Sequence, residues 1–204
     1  MNQFGKKFIF GVFFLIVFLF SKDVFSMELE SSATSLPIRR SSRLIILDAE
    51  NRLLLMQIKP DKPADPSCPI LKPYWVTLGG GVEERETLEQ AAVRELREET
   101  GITDVVIGPM IWHGQWQQGQ KRINDEYYFL VKLSYVGGVL DHSGLEEEER
   151  AVIKNMKWWN LEEMESMESA GEVFIPRNMN YLLSNTLRGE LPSSPVEIDL
   201  STPN

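Results

Sequence analysis

The sequence predicts an α/β domain in which a mixed β-sheet carries helices on its faces. Three observations lead there. Aliphatic runs of strand length recur from Ile38 onward. One long segment, residues 87–100, is rich in Leu, Ala, Glu and Arg and holds no glycine or proline, as a helix requires. The order is strands, helix, strands, helix, which is that of layered α/β folds rather than of bundles or sandwiches. The size agrees: 204 residues, 43% hydrophobic and 25% charged, make one compact domain and leave little room for a second.

The chain opens on Lys6 and Lys7, an apolar run from Phe8 to Phe20, and then Ser21-Lys22-Asp23-Val24-Phe25-Ser26. A cationic start, a short apolar core and small residues at Val24 and Ser26 predict a secretory signal peptide over residues 1–26. The alternative is an uncleaved membrane anchor, but a spanning helix needs about 20 apolar residues and Lys22-Asp23 ends this run early. Cleavage after Ser26 leaves no stably inserted segment and places the protein in the periplasm or outside the cell. Residues 27–37 are polar, lack periodicity and read as a linker, so the folded domain is expected over 38–189.

Within that domain Ser42–Leu47 and Leu53–Ile58 flank Asp48-Ala49-Glu50-Asn51 and predict a β-hairpin. Five prolines between residues 59 and 74 predict a loop long enough to border a site. Tyr74–Leu78 is a short strand entering Gly79-Gly80-Gly81, where the backbone must turn sharply or approach something closely. Thr87 and Gln90 suit a capping box at the start of the long helix, and Gly101 suits its end. Further strands are expected near 104–117, 125–136 and 153–159, and helices near 160–169 and 177–188. Residues 190–204 contain Pro192, Pro195 and Pro203 and read as a flexible tail.

Composition excludes several functions. Thirty acids against 21 bases give a formal net charge of −9, and losing residues 1–26 would take it to −11. A general nucleic-acid binder needs the opposite sign. A single cysteine, Cys68, rules out an internal disulfide and a multi-cysteine zinc site, and two histidines, His113 and His142, rule out a histidine-rich metal centre. Any metal here must be held by carboxylates.

The long helix has those carboxylates. At roughly 100° per residue, Glu95 and Glu99 fall on the same side as Leu88, Ala91 and Ala92, which should face the core. An ordinary amphipathic helix keeps its acids on the opposite side. Glu95, Glu98 and Glu99 therefore share about a third of the circumference, at the edge of buried surface, and repel one another unless a cation neutralises them. Oxygen donors without histidine or cysteine select magnesium, with manganese as a substitute. Magnesium keeps open positions for water and phosphate, so the arrangement suits phosphoryl chemistry.

Gly80, Glu86, Arg94-Glu95-Leu96, Glu98-Glu99 and Gly101-Ile102 resemble the Nudix box, with seven fixed identities and two aliphatic positions at the family spacing. Leu78 stands where many members have proline. The resemblance implies an α/β/α sandwich and a Nudix hydrolase that uses magnesium to cleave a pyrophosphate bond in a nucleoside diphosphate linked to another group. It also implies residue roles. Glu95, Glu98 and Glu99 resemble the metal ligands, joined by the carbonyl of Gly79, and Glu95 or Glu98 would position or deprotonate the attacking water. Glu86 and Arg94 resemble a pair that fixes helix and loop, and Gly80 and Gly81 let the backbone approach the substrate. Members are often dimers, which makes a homodimer the implied assembly.

Outside the box, Glu149 is the expected late-loop carboxylate, with Glu148 second, and the run Glu146–Glu149 is otherwise a solvated patch. Trp112, Trp116, Tyr127 and Tyr128 are either core or stacking surfaces for a base. Arg43, with Arg39 and Arg40, either grips a terminal phosphate or is a positive flank following the exported segment, and His113 reads as a hydrogen-bonded strand residue. The expected partner is a small nucleotide-type substrate: a triphosphate, a nucleotide sugar, an ADP-ribose type compound or a dinucleoside polyphosphate. The alternative is a catalytically inactive nucleotide-binding Nudix module.

Overall fold

The computed structural model describes residues 35–59, 72–141, 143–145, 147–188 and 191–200. The expected signal peptide, most of the proline-rich loop and Cys68 lie outside these residues.

Strand β1 (Ile38–Leu47) is the organising element. It pairs in parallel with β6 (Arg122–Lys132) along its whole length, antiparallel with β4 (Leu78–Gly81), and through the Leu47–Leu53 turn with β2 (Leu53–Ile58). One wing continues from β6 to β5 (Met110–Gln118), which is antiparallel to it, and then to β9 (Val196–Glu197), which is parallel to β5. The other wing places β3 (Tyr74–Val76) and β7 (Ile153–Trp159) on either side of β2, with β8 (Phe174–Ile175) parallel to β3. The result is the predicted mixed sheet.

Period-2 alternation in β1 divides the core between the two faces. Leu44 and Ile46 pack with Leu54, Met56, Leu78, Phe129 and the Ala92 and Leu96 side of helix α1 (Leu88–Thr100). Ile45 and Leu47 point the other way, toward Leu53, Leu55, Trp159 and the helices α3 (Leu161–Ser169) and α4 (Met179–Leu187), which contribute Met164, Met179 and Leu183. Each such aliphatic side chain contributes roughly 1.5–3 kcal/mol by leaving water. Helices on both faces of one sheet make the α/β/α sandwich.

Several boundaries differ from expectation. Strand β1 starts at Ile38 rather than Ser42, because its polar first residues pair with β6 from Ile38 onward and with β4 as well from Ser41. Residues 104–109 form no strand, and β5 begins at Met110. The acidic run expected in a loop contributes to a short helix, α2 (Glu147–Val152). The segment expected as a flexible tail also differs: β9 pairs with β5, the Ile198 N–H donates to the His113 carbonyl at 2.7 Å, and Ile198 and Leu200 are buried. Gly114 permits this, since a Cβ there would stand 2.7 Å from the Ile198 carbonyl oxygen and 2.8 Å from Leu200 Cγ.

Candidate active site

Helix α1 is held at both ends. Thr87 accepts from the Gln90 N–H and Gln90 returns the bond, completing the capping box, while Gly101 closes the helix at φ 73°. This fixes the rotation of α1 so that Glu95 and Glu99 lie within its buried face, at 6% and 3% exposure. The helical period predicted that placement.

Strand β4 supplies the opposite wall. Gly79 adopts φ 113° with its Cα against β1, where a Cβ would meet the Ser42 carbonyl oxygen at 2.1 Å, so only glycine fits. Its N–H donates to Glu99 Oε2 at 2.7 Å. Gly80 lies over the Glu95 carboxylate, and a Cβ there would stand 2.3 Å from Oε1. Arg94 ties the wall to the helix. It donates to Glu86 through Nε and Nη2, to the Gly81 carbonyl at 2.8 Å, to Glu95 Oε1 at 2.8 Å and to Glu98 Oε2 at 3.1 Å. Glu86 and Arg94 thus link loop and helix through these hydrogen bonds.

Glu149 reaches this place from α2. Glu95, Glu99 and Glu149 each offer a carboxylate oxygen, and the three oxygens lie within 4.8 Å of one another. Burial pushes the Glu99 carboxyl up to about 8, with the Glu95 and Glu149 charges adding to it and the Gly79 N–H and Arg43 opposing it. Burial also raises Glu95, against the hydrogen bond and charge of Arg94. Oxygen ligands that repel one another and resist ionisation fit a hard divalent cation. Glu98 lies outside this group; it is half-exposed and bonded to Arg94. The side chain of Glu148 lies outside the described residues.

Arg43 has a different place from the one expected. Its Nη1 donates to the Gly79 carbonyl at 2.8 Å and its Nη2 to Glu126 Oε1 at 3.0 Å. Glu126 also accepts from Trp116 Nε1 at 3.2 Å and Tyr128 Oη at 2.8 Å. Burial alone would raise the Glu126 carboxyl, but Arg43 and these donors hold it below its usual range. Arg43 is therefore a neutralised support for the glycine turn. Sequence reasoning missed Glu126, although an acidic pair, Asp125-Glu126, running directly into the apolar stretch Tyr127–Val131 was a usable signal.

A cavity of about 240 Å³ opens beside Glu99 and Glu149, walled by Tyr74, Trp116, Tyr128 and Leu200. Trp116 and Tyr128 thus border the cavity, whereas Trp112 is buried core packed against Tyr128. Tyr127 and His113 lie on the other face of the sheet and line no part of it. His113 bridges Asp125 and Glu197 at 2.8 Å each.

The family model for the NUDIX domain matches residues 37–177. The chain belongs to the NUDIX hydrolase family. Among curated proteins, this NUDIX chain is 29% identical over 107 residues to an RNA pyrophosphohydrolase of Wolbachia pipientis subsp. Culex pipiens (strain wPip), an alignment covering 45% of this chain and 61% of that one. Among solved structures it resembles a NUDIX hydrolase from Nitrosomonas europaea (16% identity, TM-score 0.52, 76% of this chain and 91% of the other). It also resembles the MutT protein from Methanosarcina mazei Go1 (21%, 0.50, 75% and 95%). At these identities the two structures bear on the fold, which they share with the sandwich described above.

Proposed function

We propose that this NUDIX chain hydrolyses a pyrophosphate bond in a small nucleotide-type substrate, with magnesium held by Glu95, Glu99 and Glu149. The observation that carries the reading is the convergence of these three carboxylates, from two helices, against a glycine turn at the mouth of a cavity. The Gly79 carbonyl, which accepts from Arg43 at 2.8 Å, is the further oxygen donor at that turn. When bound, the ion activates a water and offsets charge on phosphate oxygens. Glu95 or Glu98 orients that water and accepts its proton. Arg94 keeps both carboxylates and the Gly81 carbonyl in place, and Glu86 keeps Arg94 in place. Gly80 and Gly81 leave the backbone open to substrate, and the flat wall of Trp116 suits a base. The apolar run after Lys6-Lys7 supports a protein exported by cleavage of residues 1–26, acting on nucleotides outside the cytoplasm.

The test is hydrolysis of a mixed panel of nucleoside triphosphates, nucleotide sugars, ADP-ribose and dinucleoside polyphosphates, with magnesium and with chelator. Metal-dependent release of a phosphate product is expected. A chain that cleaves none of them in magnesium or manganese overturns the reading.

A further inference from the structure

We propose that residues 196–200 wall the substrate cavity, and that Leu200 sets the size of the base the cavity accepts. This rests on the hydrolase reading above and adds to it a specificity-determining residue that lies outside the box helix and the metal-binding acids.

Strand β9 runs parallel to the edge of β5, with Val196 beside Trp112 and Glu197 beside His113. The Ile198 N–H carries the pairing further, to the His113 carbonyl at 2.7 Å. Alternate residues share a face, so the segment is two-sided. Glu197 lies on the face away from the cavity, with its Oε1 2.8 Å from His113 Nδ1. Ile198 and Leu200 lie on the cavity face, in one apolar core with Trp112 and Trp116 of β5. Gly114 leaves a gap between those two tryptophans, and Leu200 fills it: a Cβ on Gly114 would stand 2.8 Å from Leu200 Cγ and 2.9 Å from Cδ1. Covering the edge of β5 needs only the backbone pairing. Leu200 lies two residues beyond the Ile198 bond, yet it is only 6% exposed and borders the same cavity as Glu99 and Glu149.

The facing walls are fixed. Trp116 and Tyr128 stand on β5 and β6, and both donate to Glu126, at 3.2 and 2.8 Å. With those donors engaged, the two side chains offer an occupant ring surface rather than hydrogen bonds. Shape then decides what enters. The cavity of about 240 Å³ is smaller than the roughly 300–1,000 Å³ of pockets that take a drug-sized ligand whole. It has room for one ring system, the base, while the phosphates stay with the acids at its mouth. Leu200 is carried by a segment at the edge of the sheet, next to a strand of two residues, so its side chain can be changed without displacing the acids on α1 and α2.

The experiment uses the full chain and its Leu200→Ala, Leu200→Phe and Leu183→Ala variants. Each receives, in magnesium, the adenine and the uracil form of the panel substrate that the wild-type chain cleaves best, and the ratio of the two kcat/KM values is read. Leu200→Phe narrows the cavity and should cut the adenine form roughly 10-fold, through KM, with less than about 3-fold lost on the uracil form. Leu200→Ala widens it and should move the ratio the other way, toward adenine. Leu183, on α4, shares the apolar core with Leu200 but does not line the cavity. Leu183→Ala should therefore lower the melting temperature and leave the ratio within about 2-fold. Ratios that do not move, or that move in the same direction in both Leu200 variants, overturn the proposal, as does an equal shift from Leu183→Ala. If neither Leu200 variant folds, Leu200 is a structural residue only and the proposal falls. If the wild-type chain cleaves nothing, the hydrolase reading fails, and the ratio is read instead from calorimetric binding of AMP and UMP in magnesium. Opposite shifts in the two Leu200 variants then uphold the wall, and binding of neither nucleotide overturns it.

Discussion

Gly80→Ala tests the site with a single methyl group. The Gly80 backbone needs no left-handed conformation, so alanine adds no strain of its own, but its Cβ would stand 2.3 Å from Glu95 Oε1, 2.7 Å from Cδ and 2.9 Å from Oε2. An ordinary contact begins at 3.4 Å, so the carboxylate must retreat by about 1.1 Å. The obstacle is the end of a side chain with three rotatable bonds. An off-rotamer Glu95 costs roughly 0.5–1.5 kcal/mol, which the fold tolerates. The site does not tolerate it, because a reacting group or ligand misplaced by about 1 Å loses on the order of 100-fold in rate. The Arg94 bond to Oε1 at 2.8 Å limits the directions of retreat. Turnover of the best panel substrate should therefore fall about 100-fold, with manganese affinity reduced and the melting temperature lowered by only a few degrees. Gly79→Ala is the control: its Cβ meets backbone at 2.1 Å at φ 113°, so that chain should not fold. A folded Gly80→Ala protein with wild-type turnover and metal affinity would remove Glu95 from the reacting site.

Other perturbations separate support from chemistry. Glu126→Gln leaves Arg43 as an uncompensated buried charge, which costs roughly 3–5 kcal/mol and lowers the melting temperature by roughly 6–20 °C; an unchanged urea midpoint would refute the pairing. Glu149→Gln should weaken manganese binding by at least the roughly 10- to 100-fold that losing a supporting residue costs, while thermal stability without metal holds or rises because one of three repelling acids is gone. Unchanged manganese affinity would exclude Glu149 from the ligands. Thr87→Ala removes the acceptor of the capping box and should cost about 1 kcal/mol in denaturant unfolding. The His113 pKa is raised: burial lowers it, but its hydrogen bonds to the carboxylates of Asp125 of β6 and Glu197 of β9 more than offset that. Its contribution is complete below the unfolded value near 6.5 and is lost as pH rises through the higher folded value. Proteolysis after β9 should accordingly speed up at alkaline pH, and His113→Gln should remove that dependence.

How far the site could be read from sequence depends on whether a contact is local. The box helix is local: 100° per residue converts spacing into direction, and the capping residues fix the phase, so burial of Glu95 and Glu99 was legible. Glu149 was legible only through the family resemblance and not from local geometry, since it comes from fifty residues downstream on a helix whose acidic run resembles solvated surface. The C-terminal strand was hidden by its prolines. Its only local sign was the pair Ile198 and Leu200 at period 2, and its partner surface exists only because Gly114 has no side chain.

The three arginines of β1 show what register adds. Adjacent in sequence, Arg39, Arg40 and Arg43 read as one phosphate grip. Alternation sends Arg40 to the opposite face, where its guanidinium lies 5.4 Å from the centre of the Tyr127 ring. Pairing with β6 then brings Glu126 to Arg43 and, among the described residues, no carboxylate within ion-pair distance of Arg39. Among the described residues Arg39 is left without an ion-pair partner, and the parallel ladder places Asn124 opposite it. A chain with net charge −9 thereby gathers Arg39, Arg43 and Arg122 near one another, and the same ladder explains why. Parallel pairing matches like ends of β1 and β6, and both strands begin with cations.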